Sequence, residues 1–74
     1  VDKELFNEQV QIERKLFVFS LRENPQGRFL KITEDVGGRR NTIIMPATGL
    51  KQVVEILNRA IKSEDDAGMF ETGD

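Results

Sequence analysis

Between Arg22 and Lys31 the chain sets a guanidinium, an amide, an aromatic ring and an ammonium close together: Arg22, Asn24, Phe29 and Lys31. An aromatic face stacks a nucleobase, worth about 1–3 kcal/mol per base with little sequence preference. Lysine and arginine hold phosphates and make such binding salt-dependent. Arginine can also grip the O6/N7 edge of guanine with two bonds, and an asparagine amide can meet a base edge. Each residue has a plainer explanation too. Arg22 and Lys31 could form a solvated strand face paired with Glu8 or Glu34. Asn24, just before a proline, could serve its own turn. Phe29 could pack in a dimer contact, or in the core if the register slipped by one. That slip would bury Lys31 and expose Leu30 and Ile32, which is costly.

For these side chains to act together, the stretch from Lys15 to Lys31 must fold as a hairpin. From Lys15 to Glu23 apolar positions alternate. Phe17, Phe19 and Leu21 fall on one face, Leu16, Val18, Ser20 and Arg22 on the other. Asn24-Pro25-Gln26-Gly27 is a turn, in which proline presets its backbone angle and Gly27 permits a positive one. A third strand, Arg28 to Asp35, turns Leu30 and Ile32 inward and Phe29, Lys31 and Thr33 outward. An earlier strand, Glu4 to Gln11, carries Leu5, Phe6 and Val10 and joins through a tight turn at Glu13-Arg14. Asn7-Glu8-Gln9 breaks its alternation, which leaves a helix as the alternative for this segment.

Val36-Gly37-Gly38-Arg39-Arg40 reads as a flexible basic loop, able to reach a nucleic-acid backbone. Asn41 to Met45 is a short fourth strand ended by Pro46. The period then changes. Thr48 can cap a helix beginning near Gly49. Leu50, Val53, Val54, Leu57 and Ile61 form its apolar stripe, widened by Ile56 and Ala60. The predicted fold class is α+β, a four-stranded antiparallel sheet followed by one C-terminal helix. Residues 1–62 make one domain, and the acidic residues 63–74 read as a disordered tail.

With 74 residues there is room for one small, marginally stable domain. The absence of cysteine and histidine excludes disulfides, the usual zinc sites and serine–histidine or cysteine–histidine catalytic pairs. The carboxylate clusters Glu34-Asp35 and Glu64-Asp65-Asp66 have no histidine to make an acid–base pair with. No glycine-rich nucleotide motif occurs. The expectation is a non-enzyme, with no catalytic residue, metal or cofactor, no small-molecule substrate, no secretory leader and no bilayer-spanning helix. Lack of cysteine fits the cytosol or nucleus. The net charge of −2 argues against a nucleic-acid partner. Its distribution argues the other way: eight of the eleven Lys and Arg lie between Arg14 and Lys51, while Glu64, Asp65, Asp66, Glu71 and Asp74 crowd the end. The wide helix stripe points to a second copy. Ile43-Ile44-Met45 would be an aggregation hazard if exposed.

The string ENPQGRFLKITE, Glu23 to Glu34, resembles the PUR repeat of the purine-rich element binding proteins of the Pur-alpha type. KLFVFSL precedes it, and a basic glycine stretch and NTIIMP follow. The likeness covers roughly residues 4 to 62. It implies four antiparallel strands and a helix, two such repeats intertwining into one domain similar to the Whirly fold. It further implies binding of single-stranded, purine-rich DNA and RNA, and unwinding of short duplexes. Its binding positions fall on Arg22, Asn24 and Lys31, its base-stacking aromatic on Phe29, its hydroxyl position on Thr33, and its basic contact on Arg39 or Arg40. Family repeats often carry an aromatic and an acid on the outer face of the second strand, where this chain has Val18 and Ser20. They often have a basic residue in the turn, where this chain has Gln26. Both departures predict weaker binding.

Two function classes follow. One is a non-enzymatic module for single-stranded, purine-rich nucleic acid, a homodimer through intertwined repeats, acting in transcription regulation. It would work in nucleus and cytoplasm if eukaryotic, in cytoplasm if bacterial. The other is a dimerisation or protein-interaction repeat with little nucleic-acid binding. A single repeat implies either self-association or a piece of a longer chain.

Overall fold

The computed structural model describes residues 2–71, with side chains to residue 68. Four antiparallel strands run in sequence order: β1 (Lys3–Ile12), β2 (Lys15–Asn24), β3 (Gly27–Val36) and β4 (Arg39–Pro46). A 3-10 turn, Ala47–Gly49, leads into the helix α1, Leu50–Glu71. The predicted α+β class and element order hold. Thr48 lies within the 3-10 turn, and the helix starts after it.

Two-residue turns join every pair of strands, so the ladder registers are fixed by turn chemistry. Asn24 pairs with Gly27 across Pro25-Gln26. The Asn24 side-chain oxygen accepts a bond from the Gln26 amide at 2.9 Å. Gly37 and Gly38 both have positive φ, +58° and +88°, as a tight hairpin turn matched to strand twist requires. The Asp35 carboxylate accepts from the Gly38 amide at 3.1 Å. The predicted five-residue basic loop is therefore only two glycines long. Val36 pairs directly with Arg39, and β4 begins there rather than at Asn41.

β1 contains one irregularity. Glu4 pairs with Arg22 and Phe6 with Leu21, leaving Leu5 as the extra residue of a bulge. A bulge re-aims the side chains on one side of it. Phe6, Glu8, Val10 and Ile12 alternate onto the helix side of the sheet, and Glu4 is turned to the opposite, open face.

The helix-side face is apolar, with Phe6, Phe19, Leu21, Leu30, Ile32 and Met45 around a trough that α1 meets through Leu50, Val53, Val54 and Leu57. The helix covers little of it. Among the described residues no hydrophobic side chain is buried, and Leu57 and Ile61 remain 55% and 59% exposed. The molecule is correspondingly elongated, 55 × 30 × 16 Å. Ile43 and Ile44 on the edge strand are also exposed. Helix α1 runs on past Ser63, where the acidic composition predicts disorder. No proline or glycine interrupts it before Gly68, and Lys62 pairs with Asp66 one turn on at 3.7 Å. Residues 72–74 of the predicted tail lie outside the described residues. Among the described residues no helix is long and apolar enough to cross a membrane.

Candidate nucleic-acid interface

Strand pairing lays the open face out in rows, each taking one residue per strand. Glu4, Arg22, Phe29 and Pro46 form the first row; Asn7, Ser20, Lys31 and Ile44 the second. Gln9, Val18, Thr33 and Thr42 form the third; Gln11, Leu16, Asp35 and Arg40 the fourth. Neighbouring rows are about 7 Å apart and neighbouring strands about 4.8 Å. Arg22, Phe29, Lys31 and Thr33 therefore share one face, as the alternation predicts.

Phe29 is half-buried. It sits between Arg22 and Pro46, at the rim of a recess lined by Asn24, Gly27, Arg28, Ile44 and Pro46. Leu30 and Ile32 face the helix side, so the register does not slip. Lys31 is exposed. Of the three open-face strand cations it alone has no ion pair among the described residues: Arg40 is bound to Asp35 at 3.1 Å, and Arg22 to Glu4 at 3.2 Å and Asp2 at 3.5 Å. Glu8 and Glu34, the predicted partners of these cations, both point to the helix side. Glu8 stands opposite Phe19, and Glu34 binds Lys15 at 3.0 Å. That ammonium and the Asn41 amide hold the Glu34 carboxyl below its ordinary pKa.

Asn24 spends its oxygen on the Gln26 amide, which leaves its two N–H donors for a ligand. Thr33 shares a 3.3 Å hydroxyl contact with Thr42. Arg39 and Arg40 are strand residues, not loop residues, and adjacent strand residues face opposite ways. Arg40 lies on the open face, three rows and about 20 Å from Phe29. Arg39 lies on the other face, without an ion pair among the described residues.

The carboxylate cluster around Arg22 is not foreseen from the sequence. Glu4 Oε2 accepts from Ser20 Oγ at 2.7 Å, Asn7 Nδ2 at 2.9 Å and Arg22 Nη1 at 3.2 Å. The Ser20 and Asn7 bonds, with the nearby Arg22 charge, lower the Glu4 pKa. Ser20 is the one buried polar residue among the described residues, 5% exposed. The adjacent apolar pair Leu5-Phe6 is the one trace of the bulge in the sequence, and a weak one, since Leu16-Phe17 and Ile43-Ile44 keep their register without a bulge.

An antiparallel sheet carrying on one face an aromatic, an amide with two free donors and a lysine unpaired among the described residues is the kind of surface on which single-stranded nucleic acid can be held. Residues 2–72 match the family described as PurA ssDNA and RNA-binding protein, and the chain belongs to that family. Over 64 residues it is 44% identical to transcription factor Pur-alpha 1 of Arabidopsis thaliana, covering 86% of this chain and 22% of that protein. The chain thus spans about a fifth of the length of the curated relative it matches. The likeness to the PUR repeat, first visible between Glu23 and Glu34, is borne out.

Proposed function

We propose that this chain binds single-stranded, purine-rich DNA or RNA without catalysis, and that two copies pair to build the working domain. The observation that carries the first part is Phe29 beside Lys31 on one open face, the ammonium free of carboxylates among the described residues. A base stacks on Phe29, Lys31 takes the adjoining phosphate, and the Asn24 amide meets a base edge. Arg22 also touches the base rather than a phosphate, because Asp2 and Glu4 already offset its charge and would repel a second anion. Thr33, Arg40 and Arg39 supply outer contacts. At a duplex end, Phe29 inserted between bases would separate strands without ATP. Transcription regulation follows by kinship with the plant relative, in nucleus and cytoplasm for a eukaryotic source or cytoplasm for a bacterial one.

Pairing is supported by the uncovered apolar surfaces. A domain this small, with no hydrophobic side chain buried among the described residues, has little to offset its chain entropy. Intertwining two copies would lay the exposed stripe of α1 on the partner's sheet. The same observation favours a second reading, a dimerisation repeat with little nucleic-acid affinity of its own.

Anisotropy titration of a labelled G-rich single strand at two salt concentrations separates them. The binding module loses affinity steeply as salt rises; the dimerisation repeat shows no binding while remaining folded. If Phe29→Ala combined with Lys31→Ala left affinity unchanged, the site assignment would be wrong.

A further inference from the structure

We propose that Glu4, turned onto the open face by the Leu5 bulge, is a specificity residue that selects guanine over adenine at the Phe29 position. This deepens the function proposed above and rests on it. Four observations lead there.

The first is the bulge. Phe6, Glu8 and Val10 alternate on the helix side, so an unbroken strand would put Glu4 with them. The extra Leu5 moves Glu4 to the other face, opposite Arg22. Bulges concentrate where a side chain must be re-aimed. The second is the cluster that fixes it. Three donors, Asn7, Ser20 and Arg22, converge on Oε2, and Oε1 has no bonding partner among the described residues. One oxygen is anchored and the other is free to accept. The Ser20 and Asn7 bonds to Oε2 also lower the pKa of the carboxyl.

The third is the order of the row. Phe29, Arg22 and Glu4 stand on three successive strands, so the row spans about 10 Å. A base stacked on Phe29 presents its edge first to Arg22 and then to Glu4. The fourth is the chemistry of that pair. A guanidinium donates and a carboxylate accepts. Guanine is the purine that answers both, with O6 and N7 as acceptors and N1–H and the 2-amino group as donors on its Watson–Crick edge. Adenine has an amino group where guanine has O6, and a lone pair where guanine has N1–H. It would set a donor against Arg22 and an acceptor against Glu4. A donor set against a donor and an acceptor against an acceptor both weaken binding, and discrimination between the two purines follows from that difference.

The test compares G-rich, A-rich and inosine-substituted single strands of equal length, by anisotropy, with the wild-type chain, Glu4→Gln and Glu4→Asp. The wild type should favour the G-rich strand by about tenfold over the A-rich one, with inosine, which lacks the 2-amino group, in between. Glu4→Gln should lose most of that preference through weaker G-strand binding, with the A-rich strand changed less than about twofold. Inosine should then bind like guanine, and Glu4→Asp should keep part of the preference. An equal rise for all strands in Glu4→Gln would mean that Glu4 only neutralises Arg22, and would overturn the proposal. An equal fall would reduce Glu4 to a support of the sheet, and would overturn it as well. The wild type alone separates the deeper failure: a folded chain that binds no strand removes the function itself.

Discussion

On the open face every charged strand residue but Lys31 has a partner within the described chain, whereas on the helix side Phe6, Val10 and Ile43 stand exposed. The two faces are incomplete in different senses. The open face carries its own counter-ions and hydrogen bonds, so water satisfies what remains, and a ligand there is optional for folding. The helix-side face and the stripe of α1 have no such recourse, because apolar area in water costs about 25 cal/mol per Å². Binding and stability should accordingly be separable: substitutions on one face should move affinity, those on the other should move the fold.

The largest effect expected is on the apolar side. Leu57→Asp would put a charge in the stripe proposed to meet a second copy. It should lower stability by about 3 kcal/mol or more. Size-exclusion with light scattering should show loss of the dimer, and circular dichroism loss of cooperative melting. A variant that stays dimeric with an unchanged Tm would break the contrast between the faces.

Next comes the open face. Phe29→Ala should weaken single-strand binding by about 1–3 kcal/mol and leave Tm nearly unmoved. Lys31→Ala should reduce the slope of log affinity against log salt by about one. A Tm fall as large as that of Leu57→Asp would mean that Phe29 is a packing residue after all.

Smaller effects come from the turns. Gly37→Ala forces a side chain into φ +58° and should destabilise by about 1–2 kcal/mol. Glu13 already occupies such a conformation, at φ +55°. Glu13→Gly should therefore stabilise, by about 0.5–1 kcal/mol. Thermal melts read both, and neither variant should alter the preference among bases.

The smallest expected effect is titration, with one carboxylate on each face. Glu4 and Glu34 both have pKa values lowered in the fold. A depressed folded-state pKa means that the native state holds fewer protons than the unfolded one. The stabilisation is then present above the ordinary glutamate range and lost as pH falls through the folded values. Tm measured from pH 6 downward should drop less steeply in Glu4→Gln and in Glu34→Gln than in the parent. Unaltered slopes would show that neither carboxylate is held as described.

Much of the fold is legible in the chain. The alternation from Lys15 to Leu21, the proline–glycine turn and the outward Phe29 and Lys31 follow from period and turn chemistry, and the Glu23–Glu34 string carries the family. What escapes is decided by one residue at a time. A single extra Leu5 inverts the facing of Glu4, and composition does not register such a shift. Gly37-Gly38 suggests a loose loop to anyone counting glycines, yet two positive angles make the tightest of connections, and Arg39 and Arg40 are drawn into the ladder. The acidic run after Ser63 lowers helix propensity without breaking the helix, which continues to Glu71 with Lys62 paired to Asp66 on the way. The lack of a buried apolar core among the described residues is hinted at by the width of the stripe on α1, but which faces remain uncovered is a property of the fold.

The strand order β1-β2-β3-β4, with two-residue turns throughout, has a kinetic consequence. Each strand pairs with its neighbour in the chain, so contact order is low, and hairpins of this kind form in microseconds. The strands can therefore begin to pair within one chain, before a second chain arrives. Covering the sheet's apolar face with another chain is bimolecular and slower. Refolding should show a first phase indifferent to protein concentration and a second that accelerates with it, with the edge strand bearing Ile43 and Ile44 open to misassociation in the interval.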